Sequence, residues 1–170
     1  MENENLIDFR IEVKNLAGAI KAIGKFDPEL RKKIIKDMKG VAAPMVADAR
    51  GRVPESPLTN WGNWRGGYDP RRVRRRINVA VRTGRVRGAS RDTIPLLTLR
   101  NVDAAGAIFD MAGRTSGGTS PQGAAMIRKL DTFAQASRTV WPAAEAHIGT
   151  VTDGLEGIID SVSREIERSY

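Results

Sequence analysis

His147 is the one histidine among 170 residues, and cysteine is absent. Those two counts remove most arrangements in which a base activates a hydroxyl or thiol nucleophile, because the base of such pairs is most often an imidazole. The lack of cysteine also excludes disulfides, thiolate catalysis and cysteine-ligated zinc. His147 lies two residues before Gly149, near an expected helix start, and reads as a capping or surface side chain. Asp153, Glu156 and Asp160 recur at helical spacing, but Arg164 shares their face, which makes them a solvated charged surface rather than an acid–base pair. Asp48 is flanked by Arg50 and Arg52, a pattern of ion pairing. No metal-ligand spacing is present and no cofactor is expected. Gly66-Gly67 and Gly117-Gly118 lack the following Lys-Ser or Lys-Thr of a phosphate cradle and read as loop glycines.

The chemistry that stands out is cationic. The net charge is +8 and the isoelectric point about 10.3, a balance that bears on partners rather than on fold. Ten arginines fall between Arg65 and Arg91, namely Arg65, Arg71, Arg72, Arg74, Arg75, Arg76, Arg82, Arg85, Arg87 and Arg91, and Asp69 is the only acid before Asp92. The guanidinium presents a planar fork of donors that fits phosphate and carboxylate. Three readings stay open: a ridge facing nucleic acid, a ridge meeting acidic surfaces of neighbouring subunits, or a solvated face. No zinc finger, helix-turn-helix glycine turn or aromatic RNA-binding motif is present, so any contact with DNA is expected through its backbone and without sequence preference.

The elements that must position these arginines follow from periodicity. Phe9, Ile11 and Val13 alternate with Arg10 and Glu12 as a short strand, and Leu16, Ile20 and Ile23 suggest a short helix ending at Gly24. Asp27 and Pro28 form a helix start. Leu30, Ile34, Met38, Val41, Met45 and Ala49 continue it to about Val53, for roughly 40 Å, with a kink at Pro44 and a stop at Pro54. Residues 54–70 form a Pro/Gly-rich loop whose Trp61, Trp64 and Tyr68 call for packing. Val73, Ile77, Val79 and Val81 share one parity and predict a strand to Thr83, with Arg74, Arg76 and Arg82 on its other face. A second strand is expected over 93–102, with Pro95 marking its beginning or an edge, and a third over 105–111. A flexible loop at 114–123 leads to a helix over 123–136. The last helix follows Trp141-Pro142, with Ile148, Val151, Leu155, Ile158, Ile159, Val162 and Ile166 as its apolar stripe. The fold class is α+β: a small antiparallel sheet packed against a long helix of the N-terminal half and C-terminal helices, in one domain over 1–170. No apolar run approaches the roughly 20 residues of a membrane span, and the acidic start at Glu2, Glu4 and Asp8 does not read as a signal peptide.

The order of these pieces resembles the tail-completion or minor tail proteins of long-tailed bacteriophages, the family of lambda Z-like neck components, in its actinobacteriophage form. The residues carrying the resemblance are the amphipathic helix ending in ADARGRVP at 47–54, the Arg-rich strand pair with Thr83-Gly84-Arg85, AGAIFDMAG at 105–113, and WPAAEA at 141–146. The insert at 114–123 and the helix after it depart from the family's shorter connection. The resemblance implies a structural, non-enzymatic virion protein at the head–tail junction, assembled in the host cytoplasm as a ring of six copies. It also implies contacts with connector, tail-terminator or tail-tube proteins, and genomic DNA passing through the lumen. On that expectation Arg71, Arg72, Arg74, Arg75, Arg76, Arg82, Arg85, Arg87 and Arg91 line the lumen or the subunit contacts. Trp61, Trp64 and Tyr68 anchor neighbouring rings, and loops 54–70 and 114–123 act as arms. The alternative is a free nucleic-acid-binding protein without sequence preference.

Overall fold

A computed structural model describes residues 7–12, 20, 23–24, 27–81, 95–114 and 120–169. The expected turn carrying Arg82, Arg85, Arg87 and Arg91 and the glycine-rich stretch 115–119 lie outside these residues.

Three helices start on the same pair, a short polar cap followed by proline. Asp27 accepts from the backbone N–H groups of Glu29 and Leu30 and opens α1 (Pro28–Val41). Asp69 accepts from those of Arg71 and Arg72 and opens α3 (Pro70–Arg76). Ser120 accepts from that of Gly123 and opens α5 (Pro121–Leu130). Such a cap satisfies amides that have no partner inside the helix, and proline at the first position gives up an N–H that would be orphaned anyway. Asp103 caps α4 (Ala104–Met111) by accepting from Gly106 N–H. The helix expected at 28–53 is present but interrupted: after α1 the chain turns at Ala42 and resumes as α2 (Ala43–Gly51). Pro44 has no N–H to offer the Gly40 carbonyl, which instead accepts from Ala42. The last helix, α6 (Val140–Ser169), runs for 30 residues.

The strands are β1 (Ile7–Glu12), β2 (Ile77–Val81) and β3 (Pro95–Asn101), in the order β1-β3-β2. Helices pack on this small sheet, and β2 and β3 are antiparallel, so the class is α+β. Arg100 Nε donates to Asn78 Oδ1 at 2.9 Å across the pair. Pro95 begins the central strand, where a missing N–H is tolerated at the first residue.

Two sequence expectations fail. Residues 70–76 are helix, not strand, so the basic ridge is not a strand face, and β2 begins only at Ile77. Residues 104–111 are likewise helix, not a third strand. The helix after residue 120 is shorter than expected, ending at Leu130, with turns up to Thr139.

The chain divides into two compact units, one of Met1–Phe9, Met45–Asn78 and Leu99–Glu145, the other of Arg10–Pro44, Val79–Thr98 and Ala146–Tyr170. In the first, Trp61 stacks on Tyr68 at 5.1 Å, Tyr68 meets the edge of Phe109 at 6.1 Å, and Phe109 meets Phe133 at 6.0 Å. In the second, α1 and α6 come close enough that a methyl group on Gly154 would strike Val41, and Ile34, Met38, Val151 and Leu155 are buried.

Candidate functional site

Helix α3 is an unfavourable object taken alone. Five of its seven residues are arginine, and the like-charged pairs 71/75 and 72/76 each cost about 0.2–0.5 kcal/mol at this spacing. The Asp69 cap returns about 1 kcal/mol. Arg74, Arg75 and Arg76 occupy the last turn, where the helix dipole favours cations. The remainder comes from tertiary ties. Val73 is fully buried. Arg72 Nε donates to Asp103 Oδ2 at 2.6 Å, and its Nη2 to the Gly67 carbonyl at 2.5 Å. That carboxylate holds the Arg72 guanidinium proton more tightly than usual. Arg74 Nη2 donates to the Val53 carbonyl at 2.7 Å and pairs with Glu55 at 2.7 Å. From the neighbouring helix, Arg50 donates twice to the Ile77 carbonyl, at 3.1 and 2.8 Å.

The arginine cluster therefore splits into two populations. Arg72 and Arg74 are structural; they fasten α3 to the loop before it and to the start of α4. Arg71, Arg75 and Arg76 are exposed, as is Arg65, and none of the four makes an ion pair or side-chain hydrogen bond among the described residues. The aromatics split in the same way. Trp61 and Tyr68 are buried in their own chain, and Tyr68 Oη donates to the Pro54 carbonyl at 3.0 Å. Burial pushes the Tyr68 hydroxyl pKa well above its ordinary value. Trp64 stays 66% exposed. Its loop is wound tightly: Gly67 N–H donates to the Trp64 carbonyl at 2.7 Å, and Trp64 N–H to that of Trp61 at 3.4 Å.

Protein-family models, curated proteins and solved structures give no match to this chain.

Asp48 forms a two-pronged pair with Arg52 at 2.9 and 3.1 Å, while its other neighbour Arg50 binds a backbone carbonyl. Asp153, Glu156 and Asp160 are exposed on α6, and His147 is half-buried on the same helix. No group of three or more potential metal-ligating side chains occurs among the described residues.

Sequence reading missed the polar network behind this surface. Arg138, with its side chain 1% exposed, holds the ends of two helices. Its Nε donates to the Ala134 carbonyl at 2.7 Å and that of Leu130 at 3.2 Å. Its Nη1 donates to those of Phe109 at 2.8 Å and Ala112 at 3.0 Å, and Nη2 pairs with Asp131 at 2.6 Å. Asp110 sits beside it, fully buried, accepting from the backbone N–H of Thr139 and, at 2.8 Å, from its hydroxyl. It acts as a cap supplied from a distant helix to the first turn of α6. Burial raises the Asp110 carboxyl above its ordinary value, against the hydrogen bonds from Thr139 that lower it. Asp103 had a legible signal, a cap residue three positions before Gly106. Arg138 had none, because its partners are main-chain carbonyls.

Proposed function

We propose that this chain is a structural subunit of a ring at the head–tail junction of a long-tailed bacteriophage, joining connector to tail tube and letting DNA pass. The observation that carries the reading is the rigidly mounted basic surface: Arg71, Arg75 and Arg76 project from a helix fastened by Arg72 to Asp103 and Gly67 and by Arg74 to Val53 and Glu55. A fixed, exposed cationic face suits contact with a polyanion or an acidic neighbour better than it suits turnover of a small substrate. The order of sequence motifs supports the same reading, although two of its pieces, the arginine segment and AGAIFDMAG, begin as helices. Trp64, exposed beside Arg65, supplies an apolar anchor of the type enriched at interfaces.

The test is direct. Virions carrying a tagged copy of the chain are imaged, and density from the tag is expected at the neck. Phage lacking the gene are expected to yield heads and tails that do not join. Absence of the chain from purified particles overturns the proposal.

A second reading, a free nucleic-acid-binding protein, draws on the same unpaired arginines. It requires the isolated chain to bind duplex DNA with steep salt dependence, each phosphate contact adding about 0.9 to the slope of log K against log salt. Arg71→Glu with Arg75→Glu then abolishes binding. If those changes leave weak DNA affinity intact and block joining of heads to tails, the ring reading stands instead.

A further inference from the structure

Among the described side chains, nearly every acid is already engaged. Asp27, Asp69, Asp103 and Asp110 cap helices. Glu29, Asp48, Glu55, Asp131 and Glu165 pair with lysine or arginine. Glu145 accepts from the Trp141 indole. The exceptions are Asp37 and one contiguous set, Asp153, Glu156 and Asp160 on α6. At 3.6 residues per turn these three fall within about 60° of arc and cover about 10 Å of helix, on the side away from the buried Val151 and Leu155. Arg164 lies one turn further on and gives its Nε to the Asp160 carbonyl at 3.1 Å, leaving the Asp160 carboxylate without a partner. The exposed arginines of α3 form the opposite half of this account. Arg71 to Arg76 span about 7.5 Å of helix, similar in length and opposite in sign.

We infer that the basic face of α3 in one copy docks on the Asp153–Glu156–Asp160 stripe of α6 in the next copy. This inference deepens the ring proposal and rests on it. The two surfaces are different patches of one chain, so the contact is heterologous. Repeated head to tail, such contacts close into a ring or grow as a filament, whereas a self-complementary patch would stop at a dimer. Exposed ion pairs are each worth only about 0–1 kcal/mol. The charges therefore set orientation, partner choice and association rate, and contact with Trp64 and other uncharged surface provides the holding power. The observations favour a second copy over DNA because a surface of opposite charge and comparable length is present on the chain itself, and its carboxylates are unpaired among the described residues.

Two charge-reversed variants test this. One carries Arg71→Glu and Arg75→Glu; the other carries Asp153→Lys, Glu156→Lys and Asp160→Lys. All five positions are exposed, so folding is checked by circular dichroism and expected to be retained. In sedimentation velocity at about 0.1 M salt the unaltered chain is expected to self-associate. Each variant alone is expected to associate at least tenfold more weakly, as like charges replace complementary ones. Mixed together, the variants are expected to regain association as alternating assemblies with an even number of copies, because the unaltered α3 of one meets the unaltered stripe of the other and the two charge-exchanged faces meet likewise. A chain carrying all five changes is expected to regain association with the charges exchanged.

Several outcomes overturn the contact. They are an unaltered chain that stays monomeric, variants that associate as well as it does, a mixture that does not pair, or loss in the variants without recovery in the five-fold change. The ring proposal falls separately, on absence of the chain from the virion neck, so the two failures are distinguishable.

Discussion

Replacing Arg138 by methionine keeps most of the side chain's volume and removes every hydrogen bond it makes. The consequences can be followed acceptor by acceptor. The Leu130 carbonyl retains the Phe133 N–H at 3.0 Å, and the Asp110 carbonyl, 3.5 Å from Nη1, retains the Ser137 N–H at 2.6 Å. The Ala112 and Ala134 carbonyls are half-buried or more open, and water reaches them. Asp131, 43% exposed, returns to solvent. The Phe109 carbonyl, in a residue only 1% exposed, is left without its donor. One orphaned buried acceptor costs about 1–3 kcal/mol, and the lost hydrogen bonds from a charged donor contribute about 1.5–3 kcal/mol more. The expected loss for Arg138→Met is therefore about 3–5 kcal/mol, a large share of the roughly 5–15 kcal/mol that stabilises a typical domain. For a chain of this size that corresponds to a fall in Tm of roughly 10 °C. Urea unfolding followed by far-ultraviolet circular dichroism, with the slope against urea unchanged, measures it. Arg138→Lys, which restores a cation but not the fork, is expected to recover only part. A loss below about 1 kcal/mol for the methionine variant would refute the claim that Arg138 holds the ends of α4 and α5 together.

Other expectations follow from the same physical reasoning. The buried Asp110 carboxyl has a raised pKa in the fold, so it takes up a proton more readily folded than unfolded. Its contribution to stability is fully present below the ordinary value near 3.8 and is lost as pH rises through the raised folded value. Asp110→Asn should flatten the stability profile in that window, as read from Tm against pH. Of the two tyrosines in the sequence, Tyr68 should not ionise near its ordinary value, and absorbance titration at alkaline pH should show it titrating only with unfolding. Tyr68→Phe should cost about 0.5–1.5 kcal/mol for the lost bond to the Pro54 carbonyl. At Gly67 an added methyl would run into the Trp61 carbonyl and lie 2.8 Å from that of Trp64. Gly67→Ala should therefore open the loop, shift tryptophan emission and lower Tm; unchanged emission would count against the tight winding.

Much of the fold was legible where local signals agreed. Asp27-Pro28, the spacing of Leu30, Ile34 and Met38, and the break near Pro44 all pointed one way, and α1 and α2 follow them. The same cap-and-proline signature stands at Asp69-Pro70, next to a run in which Val73, Ile77, Val79 and Val81 share the parity of a strand. Positions 73 and 77 are also one helical turn apart, so alternation over the first half of that run could not separate strand from helix. The helix wins at 70–76 because Asp69 caps it and Arg72 and Arg74 find partners from Val53 to Asp103, contacts that no window of local sequence contains. The stretch 104–111 is mostly small and apolar, with no period to choose between the two forms; the cap at Asp103 decides it. Of the candidate site, the concentration of arginine was plain, but which arginines are spent inside the fold depends on carbonyls and carboxylates distant in sequence. The complementary acids of α6 were visible as a charged face, and only their lack of partners sets them apart.

The arginines of α3 have a further consequence. Each peptide bond after an arginine is a place where trypsin cuts, and this helix is the densest run of such places in the described chain. While Asp69, Arg72 and Arg74 keep it wound, a protease cannot draw the backbone into the extended form it requires. The segment thereby works as a reporter of its own integrity: brief digestion that spares it certifies that the basic face is still mounted, and cleavage there marks its release before the rest of the molecule gives way.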